Sequence, residues 1–221
     1  MTADFLAWSH SRRNTYLECP KKLYHTAVAK KGSADKIEFS QSQAMIDGNE
    51  IDNALTARIR DGTPLPPRYA CHEETCAMVV AAPGTKYTQM KLAFDQSFQK
   101  CGYMDWDHTW LRVIYDLAIV NPAERHAFLW DWKNGKIWID EDQLMLFAAT
   151  GFLEWPEIEY IDTSYVWLAH GKTSDKSYRR KDAPEMWAYL LADVERMQAS
   201  FEANHWPAEP ARGKASCKWC P

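Results

Sequence analysis

An aspartate in the middle of an otherwise apolar segment constrains this chain more than any other feature. The segment 110–120, WLRVIYDLAIV, has the β-branched and aromatic composition of a buried strand, yet it carries Asp116. A carboxylate in apolar surroundings needs a hydrogen-bonding partner or a cation. We therefore expect the fold to bring a second polar group or an ion to Asp116.

A second strand with an acidic residue follows soon after. The segment 126–134, HAFLWDWKN, carries Asp131 and Lys133 and is closed by an Asn-Gly turn. Side chains alternate along a strand, so Asp131 and Lys133 project from one face while Trp132 points away into packing. If the two strands are neighbours, Asp116 and Asp131 converge, as a hard cation such as Mg²⁺ requires. The alternative is an ordinary surface ion pair between Asp131 and Lys133.

The order of predicted elements indicates an α/β or α+β domain with a central mixed sheet flanked by helices. Helices are predicted at 9–31, with a break at Pro20, and at 41–61, 71–83, 140–153 and 182–204, and strands near 86–98, 110–120, 126–134 and 160–170. We expect one domain over 1–221, with a mainly helical part at 1–84, a sheet core at 85–170, and a basic loop, helix and Cys-x-x-Cys tail at 171–221.

Composition and charge narrow the class of protein. With 46% hydrophobic and 13% aromatic residues the chain can bury a substantial core, which argues against wholesale disorder. A net charge of −4 argues against binding nucleic acid through overall charge, although a local basic groove would suffice. No apolar run has the length of a signal peptide or a membrane span, so we expect a soluble, cytoplasmic protein with no membrane contact.

Six short motifs together resemble the PD-(D/E)xK nuclease superfamily, and within it the RecB-like exonuclease branch, which includes many phage nucleases and CRISPR-associated adaptation nucleases. In chain order they are SRRNTYLECPKKLYH, GNEIDNALTARIRDGTPLP, TQMKLAFD, WLRVIYDLAIV, DWKNGK and QLMLFA. These resemble the branch's N-terminal Tyr/Cys-Pro helix, its Gly-x-x-x-His helix, a strand that usually carries Glu, the metal-binding Asp strand, the Asp-x-Lys strand and the Gln helix.

The resemblance implies a restriction-endonuclease-like core and a metal-dependent DNA nuclease that acts as an exonuclease on linear single- or double-stranded DNA. Asp116 and Asp131 would hold Mg²⁺ or Mn²⁺ with help from the Trp132 backbone carbonyl, and Lys133 would position the attacking water. Gln143 would steady the substrate backbone or the lysine, although it also fits an ordinary polar position on a helix. A phage origin would place the protein in the host cytoplasm. The sequence gives no oligomeric state.

Two positions depart from the branch's pattern. Asp52 stands where a histidine is usual, and an aspartate is itself a suitable ligand for a hard cation. Gln89 stands where a glutamate is usual, and a neutral amide is a poorer ligand. The alternative function is therefore a catalytically weak or silent nucleic-acid-binding module on the same fold.

Basic and aromatic residues indicate where a nucleic acid would lie. Arg112 precedes Asp116 by four residues on the same strand face, so we expect it to contact a phosphate. The segment 172–181, KTSDKSYRRK, is predicted to be a loop in which Tyr178, Arg179 and Arg180 contact the substrate, the alternative being an ordinary solvated loop. Tryptophans cluster in the sequence around the acidic strands and would either stack on bases or fill the core: Trp106, Trp110, Trp130, Trp132 and Trp138.

The cysteines suggest a second cofactor. Cys19 falls where cluster-bearing members of the branch place their N-terminal iron–sulfur ligand, and Cys217 and Cys220 form a Cys-x-x-Cys near the end of the chain. The resemblance implies an iron–sulfur cluster with three of its four ligands present, and His205 is a candidate for the fourth. The alternatives are a zinc site or cysteines that bind no metal.

Overall fold

The computed structural model describes residues 5–30, 32–37 and 42–208. The helices are α1 His10–Glu18, α2 Pro20–Leu23, α3 Gln43–Asp61, α4 Glu73–Ala81, α5 Glu141–Glu154 and α6 Ala183–Glu202. The strands are β1 Thr85–Phe94, β2 Leu111–Asn121, β3 His126–Lys133, β4 Tyr160–Trp167 and β5 Lys172–Arg179. Within the described residues, the helices fall short of the length and apolar character that crossing a membrane requires.

The five strands form one mixed sheet in the order β1-β2-β3-β4-β5. β2 and β3 are antiparallel, β3 and β4 are parallel, and β4 and β5 are antiparallel. A parallel pair needs a crossover connection, and α5 supplies it between β3 and β4. The predicted mixed sheet flanked by helices is confirmed.

The described chain forms two compact units. The first is drawn from the described parts of Met1–Ser40, Leu92–Val113 and Trp187–Pro221, and the second from those of Gln41–Lys91 and Ile114–Met186. The second unit thus contains α3, α4 and α5 together with β3, β4 and β5 and parts of β1 and β2. Gln41–Lys91 is grouped with the later strands, and the single domain expected over 1–221 stays a prediction.

Local sequence signals explain where the helices begin and end. The Ser9 and Ser42 hydroxyls cap α1 and α3, accepting hydrogen bonds from the backbone N–H of Arg12 and Met45, respectively. Gly62 ends α3 in the left-handed conformation, with a φ of 71° that glycine adopts without steric cost. Pro20 stands at the first position of α2, which is the break expected within 9–31.

The core of the second unit lies where α3 and α4 pack on one face of the sheet. Ile51 and Leu55 of α3 meet Leu117 of β2 and Trp132 of β3, and each of these four side chains is at most 8% exposed. Burying apolar area of this extent supplies most of the favourable free energy of such a unit. The prediction that Trp132 turns away from the acidic face into packing is confirmed.

Helix α5 packs closely on the opposite face of the sheet. A Cβ at Gly151 would lie 2.8 Å from Cδ1 of Ile161 and 3.1 Å from Cδ1 of Leu129, so a larger residue here would require the ends of these side chains to shift. Gln143 lies in the first turn of the same helix.

The segment 172–181 corrects one prediction. It was expected to be a loop, but Lys172–Arg179 forms strand β5, paired with β4 from Tyr160↔Arg179 to Trp167↔Lys172. The strand lies at the edge of the sheet, where half of its side chains face solvent, so it lacks the apolar alternation that identifies a buried strand.

Candidate active site

The register of β2 and β3 brings the two predicted carboxylates together. Leu117 pairs with Trp130, so the preceding Asp116 and the following Asp131 stand opposite each other on the same face. The backbone N–H of Trp132 donates a 2.9 Å hydrogen bond to Oδ2 of Asp116. Asp131 is 6% exposed, and its charge raises the pKa of Asp116. The convergence expected from two neighbouring strands is present.

Asp131 is held by Lys133 and Gln143, which the sequence analysis assigned to the same site. Nζ of Lys133 lies 2.6 Å from Oδ2 of Asp131, and Nε2 of Gln143 donates a 2.8 Å hydrogen bond to Oδ1. The side chain of Lys133 is 36% exposed, against 9% for Asp131, so the ion pair opens to solvent on the side of the lysine. This arrangement differs from an ordinary surface pair, because the carboxylate is buried and bonded on both oxygens.

Tyr165 belongs to the site, although none of the sequence motifs indicates it. Its hydroxyl lies 2.9 Å from Oε1 of Gln143 and 2.8 Å from the backbone carbonyl of Asp140, and it can donate to either acceptor. The acceptor Oε1 faces Tyr165 while the NH₂ group of Gln143 faces Asp131. Nζ of Lys133 lies 5.3 Å from the centre of the Tyr165 ring. The pairing Asp131↔Tyr165 in the parallel β3–β4 ladder places the two residues side by side. The proximity of Tyr165 to Asp131 can be inferred only once the strand order is known.

Asp52 and Gln89 extend the acidic site. Nε2 of Gln89 donates to Oδ2 of Asp52 at 2.7 Å and to Oδ1 of Asp116 at 3.2 Å, so one amide bridges two carboxylates. Gln89 lies inside β1 with a φ of 50°, a left-handed conformation that non-glycine residues adopt at a cost. Oδ1 of Asp52 is buried and accepts no hydrogen bond among the described residues.

Burial and mutual repulsion alter the acidity of two of these carboxyl groups. Burial first, and then the charges of Asp131 and Asp52, raise the pKa of Asp116 to about 7. Burial, and to a smaller extent the charge of Asp131, raise the pKa of Asp52 to about 6 against the lowering effect of the Gln89 hydrogen bond. Three carboxyl groups thus share a site with the ammonium of Lys133, and ionising all three would leave a net negative charge among these four described residues.

The residues fit a hard divalent cation by their chemistry. Asp52, Asp116 and Asp131 supply carboxylate oxygens, and Oδ1 of Asp52 is buried without a hydrogen bond among the described residues. The raised pKa values of Asp52 and Asp116 indicate that added positive charge would stabilise their ionised forms. Within the described part of the chain, no three His, Cys, Asp or Glu side chains are already spaced around a common metal position. The NH₂ group of Gln89 lies between two of the carboxylates, those of Asp52 and Asp116.

The predicted substrate-contacting residues fall in different surroundings. Arg112 belongs to the first unit, where its Nε donates a 3.0 Å hydrogen bond to the backbone carbonyl of Tyr103. Tyr178 is half-buried in β5, near enough to Glu141 and Asp142 that their charges add to burial in raising its pKa to about 12.

The side chains of Arg179 and Arg180 lie in different surroundings. Arg179 lines an open groove of about 490 Å³ with His126, Asp162 and Ser177. The guanidinium of Arg180 turns inward instead and donates to the backbone carbonyls of Ile158, Phe152 and Trp155 at 2.7, 2.9 and 2.6 Å. Because all three nitrogens of Arg180 are engaged, we assign it to holding the α5–β4 connection, contrary to the expectation of a substrate contact.

The clustered tryptophans separate into two groups. Trp110 and Trp132 are buried, with 9% and 8% exposure, whereas Trp106 and Trp138 are 62% and 75% exposed. Trp138 lies between the exposed Ile137 and Ile139, in the segment that connects Lys133 to α5. This segment therefore presents an aromatic ring to solvent.

The structure describes only part of the predicted cluster site. Cys19 is a buried free thiol, 8% exposed, at the start of α2. His205 is described and exposed, whereas Cys217 and Cys220 lie outside the described residues. The iron–sulfur or zinc site remains a prediction.

Comparison with known proteins leaves the site without an assigned family. A scan against protein-family models finds no match, and no curated protein is significantly similar in sequence.

Proposed function

We propose that this protein is a metal-dependent DNA nuclease, an exonuclease of the RecB-like branch of the PD-(D/E)xK superfamily. The observation that carries the proposal is Asp131, a buried carboxylate opposite Asp116 that bonds Lys133 on one oxygen and Gln143 on the other. The six motifs also fall, in chain order, on α1 and α2, on α3, on β1, on β2, at the end of β3 and on α5, which are the helices and strands that the resemblance requires. The resemblance and the geometry therefore support the same residues.

The chain's own residues prepare the site for a phosphate. Asp52, Asp116 and Asp131 would hold Mg²⁺ or Mn²⁺, and such a cation supplies Lewis-acid activation of water and neutralises phosphate charge. Gln143 and the Trp132 N–H fix the orientations of Asp131 and Asp116, respectively. The ammonium of Lys133, on a side chain that is 36% exposed, would hold the attacking water or neutralise charge on the phosphate.

Hydrolysis of end-labelled DNA tests this function. Linear and covalently closed circular DNA are incubated with the protein in Mg²⁺, in Mn²⁺ and in EDTA. Loss of linear DNA alone, in either metal and not in EDTA, is expected of an exonuclease. Loss of circular DNA as well would replace exonuclease by endonuclease, and failure of the folded protein to degrade either substrate would refute the proposal.

A catalytically silent nucleic-acid-binding module is the second candidate, and Gln89 is the observation that favours it. Its amide already bridges Asp52 and Asp116. This neutral donor therefore supplies part of the stabilisation that a bound cation would give the two carboxylates. Against this candidate, three carboxylates near a bound phosphate would repel it unless a cation lies between them. Binding of DNA in EDTA with no cleavage in metal is the result that this alternative predicts.

Replacing Gln89 by glutamate should strengthen metal binding. Gln89→Glu adds a fourth carboxylate beside Asp52 and Asp116, and ligand charge is a main determinant of divalent-cation affinity. We expect Mn²⁺ affinity at pH 8 to rise by roughly tenfold or more, and DNA hydrolysis to rise with it. Isothermal titration calorimetry with Mn²⁺ measures the affinity.

Gln89→Ala serves as the control for this substitution, because it removes the bridging amide without adding charge. It should bind Mn²⁺ less tightly than Gln89→Glu. Equal affinities in the wild type, Gln89→Ala and Gln89→Glu would show that position 89 does not face the cation.

A further inference from the structure

A concentration of uncompensated positive charge lies in the first unit, where α1 and β2 begin. The Trp8 N–H donates to the Trp110 carbonyl at 2.7 Å, and the Arg112 N–H donates to the Trp8 carbonyl at 3.0 Å. This short bridge fixes the chain just before α1 alongside the start of β2. It brings Arg12, in the first turn of α1, beside Arg112.

The two guanidinium groups repel each other. The pKa of Arg12 is lowered by burial and then by the charge of Arg112, which places the two groups within electrostatic range. Nη1 of Arg12 donates to the Ala7 carbonyl at 2.6 Å, and Nε of Arg112 to that of Tyr103 at 3.0 Å. Nη2 of Arg112 is buried and makes no hydrogen bond among the described residues. A buried donor of this kind is costly unless something binds it.

No acidic group nearby neutralises this pair. In the described residues, neither Arg12 nor Arg112 forms an ion pair with a carboxylate, and the first turn of α1 carries no acid. The carboxylate of Asp105 is engaged elsewhere, since it accepts hydrogen bonds from the backbone N–H of Asp107 and His108 and lies 2.9 Å from the His108 ring. The site is therefore complementary to an anion from outside the chain.

Trp106 adds an aromatic surface beside this positive charge. The guanidinium carbon of Arg112 lies 4.2 Å from the centre of the Trp106 ring, so the arginine covers one face of the indole. The residue nevertheless remains 62% exposed, which leaves its other face open to solvent. A nucleobase stacks readily on an exposed indole.

We propose that Arg12 and Arg112 together bind a phosphate group, and that Trp106 stacks on the base of the nucleotide that carries it. Paired guanidinium groups present planar, forked donors that match phosphate oxygens. The ligand is thus a nucleotide, either free or within a nucleic-acid strand. Arg112 lies four residues before Asp116 in β2, but the phosphate binding proposed here does not require the proposed nuclease activity.

Phosphate-dependent thermal stability tests the arginines. Melting is followed in EDTA with increasing inorganic phosphate, with sodium chloride holding the ionic strength constant. Binding to the folded state raises the melting temperature of the wild type. Arg12→Gln and Arg112→Gln should each weaken phosphate affinity at least tenfold, whereas Arg60→Gln, at an exposed arginine already paired with Asp61, should retain it.

The same experiment distinguishes binding from a structural role. If the pair serves only the fold, Arg12→Gln and Arg112→Gln lower the melting temperature without phosphate, and phosphate stabilises them as much as the wild type. That result, or equal stabilisation of the wild type by chloride and phosphate, would overturn the proposal. Because no cleavage is measured, failure of the nuclease assay leaves this test intact.

Nucleotide binding tests Trp106. Trp106→Leu should bind inorganic phosphate as the wild type does, while its affinity for deoxyadenosine monophosphate falls at least fivefold. Unchanged nucleotide affinity would refute the stacking contact. Competition by a short single-stranded oligonucleotide would assign the site to a strand, and competition by the free nucleotide alone would assign it to mononucleotides.

Discussion

DNA hydrolysis by Lys133→Ala should be about 10²–10⁴-fold slower than that of the wild type in Mg²⁺ or Mn²⁺. The ammonium of Lys133 lies 2.6 Å from Asp131 and is the cation that the structure places at the carboxylates, so its loss removes both charge neutralisation and a donor for water. The rate of loss of end-labelled linear DNA measures the effect. The half-exposed position of Lys133 means that the fold should survive the change.

Lys136→Ala is the matched control, because Lys136 lies three residues further along the same connection and is exposed. It should cleave within a few-fold of the wild-type rate. Circular dichroism of each variant establishes that it is folded. Wild-type rates in a folded Lys133→Ala protein would show that the lysine only pairs with Asp131, as in an ordinary strand-end ion pair.

In the absence of divalent cations, the folded state should lose stability as the pH rises from about 4 to about 7. The folded-state pKa values of Asp52 and Asp116, about 6 and about 7, lie above their ordinary value of 3.8. The folded protein therefore holds protons that the unfolded chain has released, and this contribution is complete below pH 4 and lost as each group ionises. Asp116→Asn, which cannot ionise, should be more stable than the wild type at pH 8 by roughly 1–2 kcal/mol.

Urea unfolding at pH 5 and at pH 8 in EDTA measures this difference. Asp61→Asn is the control of opposite sign, because the neighbouring Arg60 lowers the pKa of the exposed Asp61, and its removal should bring no gain at pH 8. If Asp116→Asn loses stability at pH 8 while Asp61→Asn does not, the Asp116 carboxylate is stabilised in its ionised form without a metal. The electrostatic basis for a cation site would then be removed.

Most of the second unit could be predicted because its elements have strong local signals. The apolar spacing of Ile51 and Leu55 and the glycine after Asp61 indicate α3, and the structure has that helix at Gln43–Asp61. The β-branched composition around Asp116 indicates β2, and the alternation around Asp131 indicates both β3 and the inward orientation of Trp132. The two carboxylates could be placed together since adjacent strands in sequence commonly pair in space.

The remainder depends on tertiary context that no single segment contains. Strand β5 has loop-like composition because edge strands keep polar side chains, and the inward turn of Arg180 depends on carbonyls at the end of α5. The contact of Tyr165 with Gln143 requires the parallel β3–β4 register. The left-handed φ of Gln89 and its bridge between two carboxylates depend on the folded chain, whereas the motif comparison shows only that Gln89 replaces a glutamate.

Direct titration of Mn²⁺ at pH 8, followed by the loss of the electron paramagnetic resonance signal of the free ion, tests the central claim. Saturable binding should occur in the wild type and be lost in the double variant Asp116→Asn/Asp131→Asn. It should persist in Glu157→Gln/Glu185→Gln, which removes two exposed acids elsewhere. No binding by the wild type, or equal binding by both double variants, would contradict the assignment of Asp116 and Asp131 to a catalytic cation site.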